Sequence, residues 1–377
     1  MAIRISPVLE GMRSYPFLRL TEAKRELAAR GIPVIDFGIG EPREETPAFI
    51  RRALADHIEA RSTYPAAEGL PELREAIARW CGRRFGVALD PATQVVPTLG
   101  SKEAIFHLAQ VVAGELVAVT TPGYPVAARG AAFAGKEVLE LPLLADRGFL
   151  PDLDAVAPGV WDRVAILWLN FPNNPTAATA PASLYARAAE LARRHGFVLA
   201  SDEAYSELYF GATPPTSALQ APGLAGVCVF NTLSKRSSMP GYRSGFAAGD
   251  PDVIAALKRY RPNVGVAPQT IVQRAAVAAW SDEAHVEEVR RLYRAKRDVL
   301  MPALEAAGLE HVGGDATFFL WLADAQDAAR GLLERGVVLA PGEVFGEAVA
   351  GYARLALVPT LEECRRAAEI IAGRGSP

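Results

Sequence analysis

The chain has 377 residues, 50% of them hydrophobic and 22% charged. At roughly 150 residues per domain this predicts two or three domains with a sizeable core, and it excludes disorder, collagen and a coiled coil. The balance of 40 basic against 43 acidic residues, net charge -3, gives no electrostatic ground for a nucleic-acid partner. Cys81, Cys228 and Cys364 lie far apart and form no CxxC pair, and the five histidines form no HxxxH or HExxH. This predicts no disulfide framework, no metal site and a reducing cytoplasmic compartment. Residues 1–13 lack the apolar run of a signal peptide, and no stretch reaches the ~20 apolar residues of a membrane span.

In chain order, a helical pattern at 21–30 comes first, in an N-terminal stretch of about 45 residues with little strand character, expected to pack on a smaller C-terminal unit. Short, β-branched apolar runs at 116–120 (LVAVT), 164–169 (VAILWL), 197–200 (FVLA) and 227–230 (VCVF) predict buried strands. Helical patterns such as 184–195, after Pro181, lie between them, so an α/β fold with a mostly parallel sheet covered on both faces is expected. A boundary is expected near 262–268. Beyond it, 282–303 is a long helix whose mixed charges predict a solvated face, and 317–322 and 352–358 are short strands of an α+β unit.

Four stretches at strand ends carry chemistry. Residues 98–102 (TLGSK) open a helix running to about 112, where Gly100 and Ser101 would present free N–H groups to an anion. The plainer reading is a helix start capped by Ser101. Residues 170–176 (NFPNNPT) form a rigid polar turn after a strand, where ligands bind in open α/β sheets; an ordinary turn has the same composition. Residues 200–208 (ASDEAYSEL) place Asp202 at another strand end, as a crevice acid or a helix cap. Residues 232–235 (TLSK) put Lys235 at the mouth of the sheet, with Ser234 and Arg243 as nearby anion-binding groups; a lone lysine is otherwise a surface residue. A lysine, an acid and an anion cradle, with no metal ligands, match the needs of pyridoxal 5′-phosphate. The lysine forms a Schiff base and carries a proton, and the acid keeps the ring nitrogen protonated.

The ordered motifs IGEP (39–42), YPAAEGLPELREAI (64–77), GSKEA (100–104), PGYP (122–125), NNPT (173–176), SDEAY (201–205), SK (234–235), GYRSG (241–245) and YARLAL (352–357) resemble the class I/II aminotransferases of pyridoxal-phosphate fold type I. The resemblance runs from about residue 15 to 371. It implies that Lys235 is the Schiff-base lysine, that Asp202 partners the pyridine nitrogen, and that Tyr205 and Asn174 bond the phenolic oxygen. It implies Tyr124 stacked on the ring, and Gly100, Ser101, Lys102, Ser234 and Arg243 around the phosphate. Tyr64 would reach the phosphate of a neighbouring subunit, which implies a homodimer with shared sites. Arg354 would clamp the substrate α-carboxylate, with the Gly40 backbone approaching it, and Lys102 is a candidate for a distal carboxylate. Phe17 and Arg261 are further candidates for the pocket wall. Ala177 stands where the family often has Gly, which speaks against a left-handed backbone there.

The stretches 234–250, 272–286 and 354–364 resemble, within the family, the succinyldiaminopimelate transaminases of lysine biosynthesis. This implies ping-pong transfer of an amino group from glutamate to a succinylated oxo acid. Aminotransferases for aspartate or other acidic or aromatic amino acids remain open, as does a C–S β-lyase, because all use the same lysine and acid. A ligand-sensing transcription regulator of this fold would carry an N-terminal DNA-binding module, for which about 45 residues leave little room. The motif order implies a large cofactor-binding domain at 47–262 inserted into a small domain made of 1–46 and 263–377.

Overall fold

A computed structural model of the chain describes residues 3–11 and 18–373. Phe17, a candidate for the pocket wall, lies outside them. Seven strands form the main sheet in the order Val95–Thr98, Gly245–Gly249, Val227–Thr232, Val198–Asp202, Val164–Asn170, Leu116–Thr121, Glu137–Pro142. All pairings are parallel except those of Gly245–Gly249, which runs antiparallel to both neighbours.

The period-two side-chain alternation of a strand divides the apolar residues between two cores. Leu167, Leu199 and Val227 face one core, with Trp80, Tyr185 and Trp280 from the helices Pro71–Phe85, Ala182–His195 and Thr270–Ser281. Ile166, Ala200 and Cys228 face the other, with Leu108, Ala131 and Leu257 from Gly100–Val111, Val126–Phe133 and Pro251–Tyr260. The helix Ala182–His195 ends on Gly196 in the left-handed region (φ 75°), with Arg193, Arg194 and His195 at its negative dipole end.

A second sheet, Ala340–Pro341, Ala353–Ala356 and Phe319–Leu322, is antiparallel throughout. It shares a third core with the helices Ala284–Ala306, Gln326–Glu334 and Leu361–Ile371. Ile35 and Phe37 join that core, and Ile35–Asp36 pairs in parallel with Val337–Val338. The helix expected at 282–303 spans Ala284–Ala306, and its charges are not all solvated. Lys296 is 1% exposed and pairs with Glu44, which also accepts from the Tyr293 hydroxyl at 2.9 Å. Among the described residues, no helix is long and apolar enough to cross a membrane. No group of His, Cys, Asp and Glu among them could hold a metal. All three cysteines are free and buried.

Candidate active site

The parallel strands end together at Asn170, Asp202 and Thr232, and those ends floor a cavity of about 500 Å³. Of the residues singled out in the sequence, Gly40, Ser101, Lys102, Tyr124, Asn174, Asp202, Tyr205, Ser234, Lys235, Arg243 and Arg354 line it. Gly100 lies directly behind the wall, at φ +67°, and a Cβ there would come 2.5 Å from the Arg243 guanidinium. Tyr64 is elsewhere, fully exposed at the surface. Arg261 is not a pocket residue. It is completely buried, donates to Glu103 at 3.1 Å and to the Ala67 carbonyl at 2.9 Å, and so braces the start of the Gly100–Val111 helix.

Ser101 is not the helix cap either. The cap position is Leu99, whose N–H donates to the Glu103 carboxylate at 3.2 Å. That leaves the Ser101 hydroxyl for the cavity. Arg243 donates to the Leu99 carbonyl at 3.1 Å and to the Pro240 carbonyl at 2.8 Å. The Thr232 and Ser234 hydroxyls lie 2.9 Å apart. Hydroxyls, a guanidinium and a helix start thus converge on one end of the cavity, an arrangement suited to an anion.

Lys235 projects from a one-turn helix, Leu233–Arg236, and donates to the Gly40 carbonyl at 2.8 Å. Burial, together with the Arg354 guanidinium, lowers its pKa to about 8. Asp202 ends the Val198–Asp202 strand, and burial pushes its carboxyl up to about 6 against the opposing pull of an Ala204 N–H bond and of Lys235. Burial also raises the Tyr205 hydroxyl, and that of Tyr124. The neighbouring Glu203 turns its side chain into the protein. It accepts from the Ser201 hydroxyl at 2.9 Å and from Ala218 N–H at 2.8 Å.

Arg354 is 2% exposed. It donates to the Asn174 side-chain oxygen at 2.6 Å and to the Gly38 carbonyl at 2.8 Å. Its guanidinium carbon lies 4.1 Å from the Phe319 ring centre and 4.7 Å from that of Phe345. Asn174 is aimed by its turn: its N–H donates to Asn170, while Asn173 accepts from the backbone and hydroxyl of Thr176. The turn closes through Ala177 at φ +59°, so the left-handed conformation is present despite the missing glycine. Gly40 is small because a Cβ would come 2.7 Å from the Phe319 ring. Lys102 stands exposed at the rim, its ammonium 5.9 Å from the Tyr124 ring centre.

Phe319, Phe345, Asn170 and Thr232 also line the cavity and were not singled out as site residues. Asn170 and Thr232 lie inside the quoted strand-end stretches. Phe345 carried a weaker signal, the Gly342 and Gly346 bracketing it as a loop. Phe319 carried none, because an apolar residue in a buried strand reads as core.

An amine with a depressed pKa, a buried acid and an anion cradle in one cavity supply what pyridoxal phosphate requires of its protein, so the residues fit that group. The family model described as aminotransferase class I and II matches residues 32–371. The LL-diaminopimelate aminotransferase of Nitratidesulfovibrio vulgaris (strain DP4) is 39% identical over 369 residues, covering 94% of this chain and 95% of that protein. An aminotransferase structure from Neisseria meningitidis superposes with a TM-score of 0.90 at 33% identity, covering 98% and 99% of the two chains. The structure of the probable N-succinyldiaminopimelate aminotransferase of Thermus thermophilus gives 0.86 at 34% identity, over 95% and 99%. The chain belongs to the class I and II aminotransferases, and is a pyridoxal-phosphate-dependent enzyme of fold type I.

Proposed function

We propose that this aminotransferase moves an amino group between glutamate and a diaminopimelate-type compound in the lysine branch of amino-acid biosynthesis. The observation that carries the reading is the buried Arg354 guanidinium sharing one cavity with the Lys235 amine. A buried guanidinium fork selects a carboxylate on the reacting carbon, which both substrates possess. The about 500 Å³ cavity leaves room for a long second arm, and Lys102 at the rim supplies a cation for its distal acid group.

When bound, pyridoxal phosphate supplies an electron sink for the bond broken at the substrate α-carbon. The protein residues do the rest. Ser101, Ser234 and Arg243 with the Gly100 helix start would hold the phosphate. Asp202 would pair with the ring nitrogen and keep it protonated. Tyr205 and Asn174 would serve the phenolic oxygen, and Tyr124 would lie against the ring. Lys235, with a pKa near 8, takes and returns a proton close to neutral pH. The division into a 47–262 domain and a small domain of 1–46 with 263–377 belongs to this reading, although the Thr270–Ser281 helix packs in the core of the main sheet and Tyr205, Leu208 and Phe210 pack in the core of the smaller one. Tyr64 of one subunit completes the phosphate site of its partner in a homodimer, and the buried free cysteines suit the cytoplasm.

Two acceptors fit. The curated relative's name points to free LL-diaminopimelate, whereas the Thermus structure's name and the stretches at 234–250 and 354–364 point to the N-succinylated compound. The test is a half-reaction screen of the cofactor-loaded enzyme with glutamate, aspartate, LL-diaminopimelate and its N-succinyl derivative, followed by absorbance. Glutamate and one diaminopimelate compound react fastest if the reading holds, and whichever diaminopimelate reacts faster identifies the substrate whose oxo acid is the acceptor. Aspartate outpacing both would sink it, and pyruvate release from a cystathionine-like thioether without an oxo acid would indicate a lyase.

A further inference from the structure

Lys235 stands in a helix of only four residues, Leu233–Arg236. A single turn has little stability of its own, so its geometry comes from what holds its ends. Upstream, the Thr232 hydroxyl accepts from Ser234 N–H at 3.1 Å and Leu233 N–H donates to the Ser244 carbonyl at 3.0 Å. Downstream, the two residues after Lys235 turn away from the cavity and enter a buried polar cluster.

Arg236 is 1% exposed. Its guanidinium carbon lies 4.6 Å from the Trp280 ring centre and 5.4 Å from that of Trp80. It donates to the Ala279 carbonyl at 3.2 Å and to both oxygens of Glu283 at 3.0 Å. Ser237 is fully buried, with its hydroxyl 2.9 Å from Nε2 of His285, whose Nδ1 lies 2.6 Å from Asp282. The order hydroxyl, imidazole, carboxylate is that of a hydrolytic relay. Ser237 has no exposed surface and does not line the cavity, so no substrate reaches that hydroxyl. Asp282 accepts from Nδ1, which leaves Nε2 of the neutral ring to accept from Ser237. Burial and the nearby Arg236 hold the imidazole below its usual range, which keeps it in that neutral form.

The partners sit at one place, the joint between Thr270–Ser281 and Ala284–Ala306. The first of these helices packs in the core of the main sheet through Ala276, Ala279 and Trp280. The second packs through Val289, Tyr293 and Leu300 in the core that holds the Ala353–Ala356 strand carrying Arg354.

We propose that Arg236 and the Ser237–His285–Asp282 chain form a clasp that positions Lys235, tying its one-turn helix to the joint between the two helices. Both act through Lys235 and touch neither cavity nor substrate, so they are positioning residues. The inference rests on Lys235 being the cofactor lysine, as proposed above.

The test uses the cofactor-loaded enzyme with Ser237→Ala and Arg236→Lys, the latter keeping the charge while losing the planar stack. Three quantities are read: the pH midpoint of the visible cofactor band, kcat against KM, and Tm. A misplacement of about 1 Å at a reacting group costs on the order of a hundredfold in rate. The expected result is a shifted midpoint and a kcat lower by about ten- to a hundredfold, with KM for the amino donor changed by less than about threefold. A lowered Tm with midpoint and kcat unchanged would overturn the clasp. If either buried variant fails to fold, Glu283→Gln, a change at a half-exposed carboxylate, decides by the same criteria. A wild-type band that survives in Lys235→Ala would instead sink the reading of Lys235 itself.

Discussion

At the scale of single residues, burial in the cavity holds Lys235 below its ordinary pKa and Asp202 above its own. In the cofactor-free protein Lys235 titrates near 8, and in the unfolded chain near 10.5. Between those values the unfolded chain holds a proton that the folded chain has released, so stability rises with pH across that window. Below pH 8 both states are protonated, and the cost of burying the ammonium is felt in full. Lys235→Met should therefore stabilise the cofactor-free protein at pH 7 by about 1–2 kcal/mol, after allowing for solvent in the cavity, and by less at pH 9.5. Urea unfolding at the two pH values checks this; a less stable variant at pH 7 contradicts it. Arg354 carries the other residue-scale prediction. A lysine there keeps the charge but loses the fork held by Asn174 and Gly38 and the contacts with Phe319 and Phe345. Charge-assisted bonds are worth about 1.5–3 kcal/mol, so Arg354→Lys should lower kcat/KM by about ten- to a hundredfold. An unchanged kcat/KM would remove Arg354 from the substrate carboxylate.

At the scale of elements, the central parallel strands were legible because each is a short β-branched run buried on both faces. Three other strands of the main sheet were not. Val95–Thr98 contains Pro97, which a sequence reading takes as a strand breaker, but this strand lies at the sheet edge, where a proline is tolerated. Glu137–Pro142, at the opposite edge, sets half-buried Leu139 and buried Leu141 among exposed Glu137, Val138, Glu140 and Pro142, so it shows no continuous apolar run. Gly245–Gly249 has only glycine, alanine and one phenylalanine, a composition that suggests a loop. It is a strand because it pairs with a neighbour on each side, and its two end glycines stand where neighbouring backbone comes too close for a Cβ. A Cβ on Gly245 would lie 2.5 Å from the Asn231 carbonyl oxygen, and one on Gly249, at φ +143°, 2.1 Å from that of Val227. Gly249→Ala should thus cost about 2–4 kcal/mol, whereas Gly211→Ala, with nothing within 4 Å, should stay within about 0.5 kcal/mol. Equal urea midpoints for the two variants would contradict this account. The same limit hid part of the site. Strand-end polar residues advertise themselves, but Phe319 holds Arg354 from inside a buried strand, and hydrophobic pattern does not distinguish such a residue from core.

At the scale of the whole molecule, the near-neutral charge means that acidic substrates are recognised by a few placed cations rather than by a basic surface. The stretch 57–64 is exposed throughout. Tyr64 and Ile58 are both strongly exposed there, and large apolar residues left in water mark a surface that something covers. The base of the stretch is fixed: Arg261, itself buried, donates to the Ala67 carbonyl and to Glu103 beside the cavity's anion end. A second copy meeting this surface would receive Tyr64 in its own cavity, which a chain alone does not. Mixing variants tests this. Lys235→Ala and Tyr64→Ala proteins are each combined with themselves or exchanged with one another. Random exchange makes half of the dimers hybrid, and with shared sites each hybrid has one cavity free of both changes. Activity should then recover to about a quarter of the unmodified enzyme. If Tyr64 serves the cavity of its own chain, every cavity in the hybrid carries one defect, and mixing restores nothing beyond the average of the two parents.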